Sequence, residues 1–170
     1  HLRDGFIEEH ADYWSIRTPT NPSFWFGNFI LFKQAPGPGD LNRWLQIHDQ
    51  VFGKTLNHVT LGWDEANPGS TEEFLADGFK SSDGMVLSLS EYSGETTINP
   101  KLEVRKLTSE SEWKEMTDLQ IEIDRDYFKL PQDNGVFRNN QMVALKKMAD
   151  EGQGDWWGAF DQGELVGGMG

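Results

Sequence analysis

The chain has 170 residues, 36% apolar and 12% aromatic, enough to bury one sizeable core or two small ones and too apolar for general disorder. Twenty-eight acids against fifteen bases give a formal charge of -13, which repels phosphate backbones and anionic lipid, so nucleic acid and membrane are not expected partners. The sequence holds no cysteine, which removes disulfides, thiolate metal sites and a cysteine nucleophile and points to the reducing cytoplasm, and no run of 18 apolar residues or basic apolar leader is present.

In chain order, residues 11–18 are rich in strand formers, and Pro19, Asn21 and Pro22 make a turn. Phe24 to Lys33 is nearly continuous in aromatic and aliphatic residues, as a strand covered on both faces would be. The run Gln34-Ala-Pro-Gly-Pro-Gly39 then breaks the pattern, and Asp40 sits where a helix N-cap belongs. From Leu41 apolar residues recur at helical spacing with His48 on the same side, and Gly53 ends the helix. His58 to Trp63 alternates as a strand, and Asp64 after it is either a pocket carboxylate or a cap on the adjacent turn. Ser70 with Glu73 forms a capping-box pattern opening a short helix, and Asp83-Gly84 turns into a strand at Met85 to Ser90. Residues 1–92 therefore read as a ββαβαβ module, and the polar stretch 93–100 as a linker.

Leu102 to Leu107 alternates as a strand, and Ser109 with Glu112 repeats the capping-box pattern ahead of a long helix whose stripe is Trp113, Met116, Ile123 and Tyr127. Pro131 to Gly135 interrupts, and a second helix is predicted from about Arg138 to Asp150 with Met142, Leu145 and Met148 or Ala149 inward. Asp155 to Phe160 and Glu164 to Met169 read as strands joined by a tight hairpin at Asp161-Gln162-Gly163. Residues 101–170 are thus a βααββ module that stops mid-strand.

The order of this second module, together with Leu102-Glu-Val-Arg-Lys-Leu-Thr108 and Trp156-Trp-Gly-Ala-Phe-Asp-Gln-Gly-Glu-Leu-Val-Gly-Gly-Met-Gly170, resembles the first half of the GNAT superfamily of N-acyltransferases. The resemblance implies an α+β fold, with a GNAT-like mixed central β-sheet flanked by helices. It also implies acetyl-CoA as co-substrate, without a metal, and a small-molecule amine as acceptor. In that family a splayed strand and a Gln/Arg-x-x-Gly-x-Gly/Ala loop before a helix hold the acyl-CoA pyrophosphate on backbone N–H groups. Neither follows Gly170, so the second module alone is not expected to bind acyl-CoA in the family manner.

The first module is similar to the family's later half, and Gln34, Gly37 and Gly39 fit the loop pattern between a strand and a helix, which makes them the implied cofactor-binding residues. Against this, Pro36 and Pro38 lack an N–H and Asp40 puts a carboxylate where phosphate would sit, so a degenerate module is the expectation. The resemblance places the acceptor pocket near Asp124, Tyr127, Phe128 and Trp157, each of which also has a plain reading as core or solvated surface; no catalytic residue is singled out.

The four histidines show no paired metal spacing, and His48 beside Trp44 reads as a packed, hydrogen-bonded histidine. Seven tryptophans suit either a core or an exposed aromatic binding platform. The alternative to an N-acetyltransferase is a GNAT-like ligand- or protein-binding module without catalysis. Unpaired sheet edges favour a homodimer.

Overall fold

A computed structural model of the chain describes residues 5–84, 99–129 and 134–170. The architecture is α+β, with two sheets and four α-helices among the described residues. The first module contains β1 (Phe6–Glu9), β2 (Tyr13–Arg17), β3 (Phe29–Phe32), α1 (Asp40–Phe52), β4 (Leu61–Trp63) and α2 (Glu72–Ala76). Its sheet has the order β1-β2-β3-β4, antiparallel across the first two pairs and parallel between β3 and β4, with α1 as the crossover. One face of this sheet is buried under α1. Trp44 lies flat on Phe32, ring centroids 3.8 Å apart, and Ile30, Phe52 and Phe74 complete the core.

The apolar run Phe24 to Lys33 is not one strand. Trp25–Gly27 forms a 3-10 turn, and only Phe29–Phe32 joins the sheet. The cause is the buried side chain of Asn28, whose Oδ1 accepts from the Thr18 amide at 2.8 Å while Nδ2 donates to the carbonyls of Asn21 and Phe24, each at 2.9 Å. Thr18 Oγ1 adds a bond to the Gly27 carbonyl at 3.0 Å. A Cβ on Gly27 would sit 2.3 Å from the Phe24 ring, so this tight turn requires glycine. Strand β1 has no signal in the sequence analysis. Its four exposed residues become a strand by pairing with Trp14 to Arg17.

Two start signals are also corrected. Gly39, with φ of 84°, is the N-cap of α1, and Asp40 is the first helical residue. The Ser70/Glu73 capping box does not form: α2 starts at Glu72 after Thr71, and Glu73 is drawn to the backbone of Gly39. The strand predicted at Met85 to Ser90 and residues 93–98 of the linker lie outside the described residues.

The second module holds β5 (Leu102–Lys106), α3 (Glu110–Asp126), α4 (Asn134–Asp150), β6 (Trp157–Asp161) and β7 (Glu164–Met169), in a separate antiparallel sheet of order β5-β6-β7. The hairpin is a two-residue type with Gln162 and Gly163 both at positive φ, 51° and 89°, the backbone twist that matches paired strands. Helix α4 begins at Asn134, ahead of the predicted Arg138, and takes Gly135 into its first turn. The core joins Leu107, Trp113, Met116, Met142, Phe160 and Leu165. Gly168 lets α3 settle on β7, since a Cβ there would lie 2.0 Å from the fully buried Met116 Cε. The modules meet where Asn21 Nδ2 donates to the Phe137 carbonyl at 3.0 Å and the Phe24 and Phe137 rings lie 5.3 Å apart. Among the described residues no helix is long and apolar enough to cross a membrane.

The capping box of α3 forms as its spacing predicts. Glu112 accepts from the amides of Thr108 and Ser109 at 2.8 and 3.0 Å and from Arg105, while Ser109 Oγ accepts from the Glu112 amide. The Thr108 and Ser109 amides, then Arg105, hold the Glu112 carboxyl down at about 2, against an ordinary 4.5. A depressed carboxyl stabilises the fold fully above its unfolded value and loses that contribution as pH falls toward its folded one. Urea unfolding of Glu112→Ala is therefore expected to show about 1 kcal/mol less stability at neutral pH and a shallower loss between pH 4.5 and 2 than the parent chain.

Candidate functional site

The Gln34–Gly39 segment leaves the carboxyl end of β3 and enters α1 beside the parallel β3/β4 pair, where α/β sheets open a crevice. A cleft of about 290 Å³ lies against it, walled by Asp12, Lys33, Gln34, Asp40 and Arg43 over the edge of Phe32. Gln34 is exposed at its rim.

Two prolines leave this loop few backbone donors, and the chain's own acids use them. The Ala35 amide donates to Glu65 Oε2 at 2.9 Å, the Gly37 amide to Asp40 Oδ2 at 2.8 Å, and the Gly39 amide to Glu73 Oε1 at 3.2 Å. The Gly37 N–H, and after it Arg43, hold the Asp40 carboxyl below the usual carboxylate range against the opposing effect of burial. The cations of the cleft are paired as well: Arg43 bridges Asp40 at 3.0 Å and Asp12 at 2.5 Å, and Lys33 meets Glu9 at 2.7 Å. The Ala35, Gly37 and Gly39 amides are thus each engaged by a carboxylate of the same chain. A phosphate would have to displace them against like charge.

The loop is clamped from the far side. Pro36 is buried, its carbonyl accepts from the Ser70 amide at 2.7 Å, and Gly69 at φ of 64° packs directly on it. Sequence reasoning missed Glu65 and Glu73 as partners of the loop: it gave Glu65 no role and placed Glu73 in a capping box with Ser70, while Asp64, the acid it singled out beside this loop, is exposed.

The residues implied as the acceptor pocket differ in exposure. Asp124, Tyr127 and Phe128 share the end of α3, but Asp124 turns inward and is 1% exposed. Its carboxylate takes two bonds from Arg138 of α4, at 2.5 and 2.7 Å, and Arg138 also reaches Gln141 at 2.7 Å. Tyr127 and Phe128 are 79% and 59% exposed, their rings edge to face 5.1 Å apart, so they do not complete the apolar stripe of α3. Trp157 is on β6, half-exposed, with Lys106 Nζ 5.5 Å from its ring.

His48 is packed as expected, its ring 4.8 Å from Phe52, but its buried Nε2 has no hydrogen-bond partner among the described residues. Among the seven tryptophans only Trp25 and Trp157 are exposed, one in each module, so tryptophans do not assemble a platform. Among the described residues no three His, Asp or Glu side chains group so as to hold a metal ion.

Two substitutions test this geometry. A Cβ on Gly69 would sit 2.6 Å from the Pro36 carbonyl oxygen at a φ that disfavours side chains, so Gly69→Ala is expected to lower stability by about 1–3 kcal/mol in urea unfolding. Asp124→Ala leaves a largely buried guanidinium without its main partner and is expected to cost about 3–5 kcal/mol, read in the same way. No known protein-family model, curated protein or solved structure matches this chain, so the geometry itself carries the functional reading.

Proposed function

We propose that this chain is a GNAT-like module pair from an acyl-CoA-dependent N-acetyltransferase acting on an amine, in which the first module is a non-catalytic scaffold. Two topological features support the GNAT-like part. In the first module, β3, the Gln34–Gly39 loop, α1 and the parallel β4 follow in the order that the resemblance gives to the acyl-CoA loop and its helix. In the second, β5, α3, α4 and the β6–β7 hairpin follow the order of the family's opening half.

The observation that carries the non-catalytic part is the engagement of the Ala35, Gly37 and Gly39 amides by Glu65, Asp40 and Glu73. Acyl transfer to an amine needs a base for the ammonium, an oxyanion donor for the thioester carbonyl and a proton for the leaving thiolate. Asp124 is committed to Arg138 and is not placed to serve as that base. The exposed Tyr127 and Phe128 offer aromatic faces suited to a cationic amine.

A second reading, with Gln34, Gly37 and Gly39 as a working acetyl-CoA contact, is favoured by the position of the loop beside the cleft. Titration of acetyl-CoA into the 170-residue chain, followed by heat, separates the two. The scaffold reading expects no saturable binding at millimolar ligand. Saturable binding that disappears in the Gly37→Asp, Gly39→Asp double variant would overturn it in favour of the catalytic one.

A further inference from the structure

The chain contains nine asparagines, and their surroundings differ in what protects the side-chain amide itself. That amide is lost when the main-chain nitrogen of the next residue attacks Cγ and closes a succinimide ring. The nitrogen must carry a proton and be free of other bonds, and the backbone must be able to bend into the ring. Asn21, Asn67 and Asn99 precede prolines, whose nitrogen has no proton to lose. Asn28 is buried with both side-chain polar atoms engaged. Asn42 lies within α1, and Asn134, Asn139 and Asn140 lie within α4, where helical dihedrals hold the backbone away from ring closure.

Asn57 alone has none of these protections. It is exposed in the irregular segment between α1 and β4. Among the described residues neither its Nδ2 nor the backbone N–H of His58 has a hydrogen-bond partner. The imidazole of His58 is held at the same amide: Nδ1 faces Asn57 Oδ1 at 3.3 Å, while Nε2 faces the Asn28 carbonyl at 3.4 Å. A ring protonated at Nδ1 donates to Oδ1, draws electron density from Cγ and stabilises the oxyanion that attack creates there.

We propose that Asn57 is a self-modification site, at which His58 acts twice: its main-chain nitrogen is the nucleophile and its imidazole polarises the amide under attack. The nitrogen bonds to Cγ, and its proton leaves with the Nδ2 amino group as ammonia. Water then opens the succinimide at either carbonyl, giving aspartate or isoaspartate with no change of oxidation state. The product falls in a defined place. Asn57 lines a cavity of about 280 Å³ together with Pro22, Ser23, Lys54, Thr55 and Leu56, and no acid is among them. Either product brings a carboxylate to the wall that holds Lys54. Isoaspartate also lengthens the main chain by one methylene ahead of His58, whose ring contacts the Asn28 carbonyl.

Incubation of the 170-residue chain near neutral pH, followed by trypsin and fragment mass spectrometry of the peptide between Lys54 and Lys80, reads the reaction. Asn57 is expected to convert before the other eight asparagines, with isoaspartate among the products. In urea the lead is expected to pass to Asn134, because Gly135 offers the least hindered nitrogen once α4 is unfolded. His58→Leu is expected to slow the conversion of Asn57 several-fold more in the folded chain than in urea, which separates the placed ring from the local sequence. Should His58→Leu fail to fold, the order of conversion in the folded and the urea-unfolded parent decides. Another asparagine converting first in the folded chain, an order left unchanged by urea, or equal slowing by His58→Leu in both states would each overturn the proposal.

Discussion

The buried amide side chain of Asn28 fixes the turn from which both the first sheet and the contact between the two modules are set. Residues 18–28 connect two antiparallel strands through successive turns, whose own hydrogen bonds leave capacity on several backbone groups. Asn28 supplies one acceptor and two donors to them. The consequences spread outward from that knot. β3 begins immediately after it and sets the register of both β2 and β4. Trp25 and Phe26 are carried outside the core on the 3-10 turn, at 61% and 68% exposure. On the far side, the turn offers Asn21 and Phe24 to α4.

Electrostatics in the first module runs opposite to the simple account in which acids serve only solubility. Glu65, Asp40 and Glu73 satisfy loop amides, while Asp12 and Glu9 neutralise the cations that line the cleft. Part of the net charge of -13 is thus structural. An N–H donor engaged by a carboxylate makes a charge-assisted bond, stronger than one to a neutral acceptor, so these acids fix the loop's shape as they close it to other anions. The two prolines act in the same direction by reducing the number of donors that need such partners.

How far the sequence could be read depended on whether the deciding contacts were local. The Ser109–Glu112 box and the Gln162–Gly163 turn involve residues within three positions of one another, and both form where the pattern places them. Ser70–Glu73 is the same local pattern, yet its glutamate bonds to Gly39, 34 residues away, and the box is lost. Phe24 to Lys33 has a strand's composition throughout, but Asn28 divides it through bonds reaching back ten residues to Thr18. β1 is the converse case, with two acids in four residues; Glu8 and Glu9 gain Arg17 and Lys33 as partners only once the sheet exists. For the candidate site, the position of Gln34, Gly37 and Gly39 in the strand–loop–helix order was legible, as was the objection from Asp40. The roles of Glu65 and Glu73 on the loop were not, because Glu65 carries no local signal and the local pattern assigns Glu73 to Ser70.

At the α3–α4 corner, burial of an ion pair explains what apolar pattern alone does not. Met142, Leu145 and Ala149 give α4 an inward face, but apolar side chains of similar size tolerate a helix sliding or rotating by a residue. A carboxylate at Asp124, nearly inaccessible to water, does not tolerate it, since any other register would bury that charge away from Arg138. The pair therefore selects one placement of α4, and that placement brings Phe137, the residue before Arg138, to the first module. It also turns the last residues of α3 outward: once Asp124 is drawn into the seam, Tyr127 and Phe128 lie past the end of the buried stripe and face solvent together. The buried Asp124–Arg138 pair and the two exposed aromatic rings of Tyr127 and Phe128 thus sit side by side at the end of α3.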